Sequence, residues 1–240
     1  MGAGVVGSLS SQHAPNRPIP QSASRAAAPG GWRGWLEIAA VYGSIEGALW
    51  SGGAARATWS WTAVGLIVTF LLVRRPGWRP LGVVGLGPKR AWWIPPAALA
   101  LAVALLWIAH LAGTLHGLYG TTNVYFHSFG YAAWTVIQEF IAQSFFFLHF
   151  ERLIGSRRAV LANGILFAAA HWPNLVLVPV TLAGGWILTE LFRRYRTIYV
   201  LAIAHCLVAL SIAVAVPNRL QRHMRVGIGY VEYGRPGPRR

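Results

Sequence analysis

One carboxylate and two imidazoles stand out, because each lies in an apolar stretch where an ionisable group is costly. Glu139 interrupts Trp134–Phe150, a segment mostly aromatic and aliphatic. His171 closes the run Phe167–Ala168–Ala169–Ala170–His171, and His205 lies in Leu201–Ala202–Ile203–Ala204–His205. A charged side chain at the centre of a membrane span costs on the order of 3 kcal/mol on insertion scales, so such residues usually face a bundle interior or a wet cavity. Chemically, a carboxylate with two imidazoles suits water activation. An apolar cavity disfavours the charged form of a carboxyl, which suits a general base. The imidazoles can hold the water, donate to a developing oxyanion, or ligate a metal such as zinc. The residue types alone do not choose between these roles.

These groups need elements to carry them, and composition says which. Of 240 residues, 55% are hydrophobic and only 11% charged. A soluble domain usually carries about a quarter charged residues. The apolar residues fall in blocks, and a span needs roughly 20 of them at about 1.5 Å rise each. The sequence therefore predicts an all-α, polytopic integral membrane helix bundle. Its seven spans fall at about 33–51, 57–73, 91–112, 130–150, 157–172, 174–192 and 197–216. Counted from the basic ends of their spans, Glu139 lies roughly 17 Å deep, His171 roughly 22 Å and His205 roughly 12 Å. All three fall in the middle third of a bilayer, so neighbouring helices can bring them together.

The formal charge of +15 arises from 21 Lys+Arg against 6 acids, all glutamate. The cations cluster in loops 74–90, 152–158 and 193–196, between apolar spans. That is the positive-inside pattern, which argues against nucleic-acid binding. It places these loops and the N-terminus in the cytoplasm. Six arginines in the tail 217–240 conflict with a seven-span count that puts the tail outside. The expected organisation is a disordered basic leader (1–32), two N-terminal spans with a basic loop (33–90), a catalytic core (91–216) and a basic tail (217–240). The arginine-rich composition points to a bacterial inner membrane. The single Cys206 rules out an intramolecular disulfide and reads as a packing residue.

Other polar residues read as structural. Glu37 and Glu46 lie on different faces of the first span. Glu190 sits beside the basic end of the sixth and is expected to pair with arginine there. His110, His116 and His127 border an outer loop, and His149 is expected beside Glu151 and Arg152. Trp92, Trp93, Trp172 and Trp186 fit interfacial anchors. Phe145, Phe146 and Phe147 read as lipid-facing, with a place in a substrate cleft as the alternative.

The order and spacing of these residues resemble the CPBP (Abi) intramembrane proteases, which include CAAX prenyl endopeptidases. The family's Glu-Glu-x-x-x-Arg motif corresponds to Gln138–Glu139–Phe140–Ile141–Ala142–Gln143. Its Phe-x-x-x-His is Phe167 to His171, continuing to Asn174, and its His-x-x-x-Asn/Asp is His205 to Ala209. The resemblance covers about 91–216. It implies a membrane-embedded peptide or protein precursor as substrate, Glu139 as water activator and His171 and His205 as its partners. Gln138, Gln143, Phe167 and Asn174 would be in support. If the family chemistry is metal-dependent, Glu139, His171 and His205 would be the ligands. The chain departs from the pattern at Gln138, Gln143 and Ala209. A transporter or proton relay, or a non-catalytic scaffold, is the alternative use of the same buried groups. No His-Glu-x-x-His or Gly-x-Ser-x-Gly occurs, and the absence of aspartate excludes an aspartyl protease.

Overall fold

The computed structural model describes residues 31–117 and 124–234, with side chains from 129 onward in the second stretch. It is helical, with no strand among the described residues. Helices α1 (Gly31–Leu49) and α2 (Gly53–Arg74) form an antiparallel hairpin. A short α3 (Trp78–Leu81) and a 3-10 turn (Lys89–Ala91) lead into α4 (Ile94–Leu111). A single helical run follows: α5 (Val124–Glu139), a π-helical stretch (Phe140–Phe147) and α6 (Leu148–Ile154). Then come α7 (Ser156–Ala169), α8 (Leu177–Tyr195) and α9 (Tyr199–Ala215). The tail adds α10 (Asn218–Gln221) and α11 (Gly227–Val231).

The long helical segments follow the seven apolar stretches of the sequence. Two, Gly53–Arg74 and Lys89–Leu111, are long and apolar enough to cross a membrane, and Tyr199–Ala215 is a shorter apolar helix. The basic leader expected at 1–32 falls outside the described residues up to residue 30, while Gly31 and Trp32 already belong to α1. One boundary differs more. The spans expected at 157–172 and 174–192 are separated by a wider turn, from Ala170 to Val176. Pro173 has no N–H to donate into a helix. His171 and Trp172 instead close tight turns onto the carbonyls of Ala168 and Ala169. His171 therefore sits just past the end of α7.

Helix α4 lies along α9, α7 along α8, and α5 against α9. The π-helical stretch is the hub, touching α3, α5, α6, α7 and α8. Phe145, Phe146 and Phe147 are all buried there, which corrects their lipid-facing assignment. Phe145 packs edge-on to Phe146, Phe146 against Tyr42 of α1, and Phe147 against Phe192 of α8. A wider π turn accommodates successive large side chains that a regular helix would distribute over its surface. Ser144 ties the stretch to α3 by donating to the Leu81 carbonyl at 2.6 Å.

The α7–α8 crossing is close. A Cβ on Gly185 would lie 3.1 Å from the Gly164 Cα, and one on Gly164 would lie 2.1 Å from the Trp186 ring. This fixes the distance between the helices that carry Asn163 and Thr189.

The basic loops share one end of the bundle. Arg74 pairs with Glu37 through two hydrogen bonds at 2.7 and 2.8 Å, and His149 Nε2 meets the same carboxylate at 2.9 Å. His149 thus joins α6 to the α1–α2 hairpin, with Arg152, its expected neighbour, within electrostatic reach. Arg196 pairs with Glu151 at 2.6 and 2.8 Å. Arg193 and Arg194 pair with Glu190, as the sequence suggested. The tail packs at the opposite end. Gly227 N donates to the Trp172 carbonyl, and a Cβ on Gly227 would strike the Leu49 carbonyl oxygen. The tail therefore lies at the end of the bundle away from the three basic loops.

Candidate active site

Glu139 is the last residue of α5, where the helix widens into its π-helical stretch. Its side chain is buried, with only 1% of the residue exposed. A buried carboxylate needs partners for its oxygens. His205 of α9 meets Oε1 through Nδ1 at 2.9 Å. Gln143, one turn on, donates from Nε2 to Oε2 at 3.2 Å. With Glu139 ionised, the His205 Nδ1 carries a proton.

The polar chain continues where the sequence gave little signal. Asn163 of α7 donates from Nδ2 to the Thr189 hydroxyl of α8 at 2.8 Å, and the same nitrogen approaches Gln143 Oε1 at 3.5 Å. Asn163, Gln143 and Thr189 are all buried. His205, Glu139, Gln143, Asn163 and Thr189 thus form one line of polar side chains across α9, α5, the π-helical stretch, α7 and α8. The sequence reading passed over Asn163 and Thr189. An amide inside the apolar run Leu161–Phe167 was the available signal for the first. Threonine is common enough in helices that nothing marked the second.

The Phe167 ring contacts both histidines. Its ring centroid lies 4.9 Å from that of His171 and 5.9 Å from that of His205. His171 Nδ1 bonds the Phe167 carbonyl at 2.7 Å, so a proton on Nδ1 leaves Nε2 as the available ring nitrogen. Glu139 and His205 are therefore in direct contact, and His171 shares the Phe167 ring with His205. No group of three or more His, Cys, Asp or Glu side chains is placed to hold a metal ion among the described residues.

The remaining candidates divide. Gln138 Oε1 is buried with no hydrogen-bond partner, a spare acceptor in the residue before Glu139. Asn174 is fully buried but does not reach Glu139. Its Oδ1 accepts from Val176 N and Leu177 N at the start of α8. Its Nδ2 donates to the carbonyls of Gln221 and Arg225. Asn174 thus holds the tail and the start of α8 together. Ala209, which stands where the resembled family places Asn or Asp, is buried and offers no polar atom. Thr135 bonds the Ala132 carbonyl at 2.8 Å and reaches the Ala202 carbonyl of α9 at 3.4 Å, one turn before Glu139.

Part of the chain matches a known family. Residues 121–211 fit the family model described as Rce1-like, type II CAAX prenyl endopeptidase Rce1-like. That segment holds Glu139, Gln143, Asn163, Phe167, His171, Thr189 and His205. No curated protein and no solved structure matches the chain.

Proposed function

We propose, with the Rce1-like match over residues 121–211 as premise, that this chain is an intramembrane endopeptidase with Glu139 as its general base. The single observation that carries the reading is the buried Glu139 carboxylate held between His205 and Gln143 within the matched segment. On this reading the seven long helical segments all lie in the bilayer, in a bacterial inner membrane, and the substrate is a membrane-anchored or exported precursor. Hydrolysis proceeds when Glu139 takes a proton from water and the water oxygen bonds the scissile carbonyl carbon. The oxyanion that forms is stabilised by an imidazole, with His171 as the candidate donor; its Nδ1–H is held by the Phe167 carbonyl, so Nε2 donates only when the ring carries both protons. The proton held on Glu139 then passes to the leaving nitrogen as the C–N bond breaks. His205 positions the carboxylate and balances its charge through Nδ1.

The two fixed donors on Glu139 keep its oxygens from rotating, which matters because a base must meet its proton at a set distance. Gln143 occupies the place of the motif's arginine and supplies one donor where a guanidinium would supply several. The test is co-expression with membrane precursors carrying a cleavable reporter. Cleavage should stop in Glu139→Ala, and cleavage that persists in that variant would sink the proposal.

A second reading has its own observation. Glutamines at 138 and 143 and an alanine at 209 leave the motif positions uncharged, as a non-catalytic scaffold holding substrate-like helices would permit. It predicts partner capture that is unchanged in Glu139→Ala.

A further inference from the structure

At the basic end of the bundle, away from Glu139, a cavity of about 490 Å³ opens between α3, α6 and the α8–α9 turn. Arg79, Arg152, Arg196 and Glu151 line it, and proline and Leu148 complete its wall. Arg196 is committed to Glu151 through two short hydrogen bonds. Arg79 and Arg152 form no salt bridge among the described residues, although Glu37 and Glu151 attract Arg152 at longer range. The lining therefore presents three guanidinium groups beside one carboxylate, with the Arg79 and Arg152 forks outside any salt bridge. A guanidinium fork matches the oxygens of a phosphate group. The lining also joins apolar Pro76, Pro80 and Leu148 to these cations.

The depth of the cavity says where such a phosphate comes from. Trp78 is 74% exposed beside Arg79, and Trp35, Trp92 and Trp93 are exposed at the same end. Exposed tryptophans mark the headgroup level of a membrane, and basic pockets at that level bind anionic lipid headgroups. A phospholipid supplies both the phosphate for Arg79 and Arg152 and the glycerol and acyl carbons for Pro76, Pro80 and Leu148. We infer that this cavity is a binding site for the phosphate of an anionic phospholipid. The inference rests on the membrane-embedded reading of the bundle and is independent of whether Glu139 cuts.

The experiment is native mass spectrometry of the full chain, released from micelles doped with phosphatidylglycerol or phosphatidylcholine. The wild type should retain phosphatidylglycerol selectively, and millimolar inorganic phosphate should not displace it. Arg79→Gln with Arg152→Gln should lower retention about tenfold or more, with helicity by circular dichroism unchanged. Arg193→Gln with Arg194→Gln, at the same end but outside the cavity, should retain lipid as the wild type does. Equal retention of the two lipids by the wild type would overturn the site without recourse to any variant. So would equal losses in the two double variants, which would indicate diffuse surface charge. Displacement by inorganic phosphate would overturn the lipid as its occupant. Precursor cleavage is scored separately, so failure of the protease reading and failure of the lipid site give different results.

Discussion

At the scale of single residues, the site is a question of what a buried carboxylate touches. Removing one partner of a buried charged pair costs on the order of 3 kcal/mol, because the other is left uncompensated. His205→Ala should therefore lower stability by about that amount, read as a drop in thermal unfolding temperature in detergent. Glu139→Gln keeps the side-chain volume and an acceptor for His205. It should cost about 1 kcal/mol or less, the worth of one hydrogen bond, yet abolish precursor cleavage. Equal destabilisation by both changes would argue that the pair carries no charge. The arrangement of donors also bears on metal. Glu139 and His205 are engaged with each other, and no group of three or more His, Cys, Asp or Glu side chains among the described residues is placed to hold a metal ion. Cleavage should therefore survive a strong chelator, and loss that zinc restores would show a rearranged, metal-binding site.

Glu139, His171 and His205 were legible in the sequence because an ionisable residue in an apolar run is conspicuous on cost alone. Asn163 and Thr189 were not, since their role depends on which helix faces which.

At the scale of elements, the π-helical stretch and the α7–α8 crossing set the geometry. Asn163→Ala removes the donor that links Gln143 to Thr189 and leaves buried polar atoms without a partner, at about 1–3 kcal/mol. It should lower cleavage as well as stability. Thr189→Val should show the smaller loss, because Asn163 retains its approach to Gln143. Gly164→Val places side-chain atoms where the Trp186 ring lies. Overpacking of this kind costs about 1–3 kcal/mol and should separate α7 from α8. A substitution at Gly184, where a Cβ meets nothing within 4 Å, is the matched control and should be neutral. Helix positions followed from the apolar blocks, and the stop after α7 was foreshadowed by Pro173. The π-helical widening was not visible, because three successive phenylalanines are equally compatible with a lipid face. Their burial depends on Tyr42 and Phe192, residues about a hundred positions earlier and about fifty later.

At the scale of the molecule, the two ends differ in what fastens them. The basic end is tied by ion pairs, Glu37 with Arg74 and Glu151 with Arg196. The opposite end is tied by Asn174, whose four hydrogen bonds join the start of α8 to the carbonyls of the tail. Asn174→Ala removes a helix-capping acceptor together with the tail's anchor and should cost about 1–2 kcal/mol. Limited proteolysis should then cut between Val216 and Gly227 faster than in the wild type, with Glu139-dependent cleavage slowed less than by Asn163→Ala. Equal protease resistance would show that the tail is held by other contacts. The charge pattern of the sequence located the basic end correctly. The tail's own arginines gave no sign that the segment folds back onto Trp172 and Leu49.

The contact between Glu139 and His205 also has an order in time. The two residues stand 66 positions apart, and the histidine lies on the last long helix. A ribosome delivers the acid first, so α5 must enter its environment before the imidazole exists. Until α9 arrives, the carboxyl has only Gln143 from its own helical run as a partner. The pair is complete only when α9 docks and brings His205 to Oε1. A nascent chain stalled short of α9 would carry the acid without the means to use it.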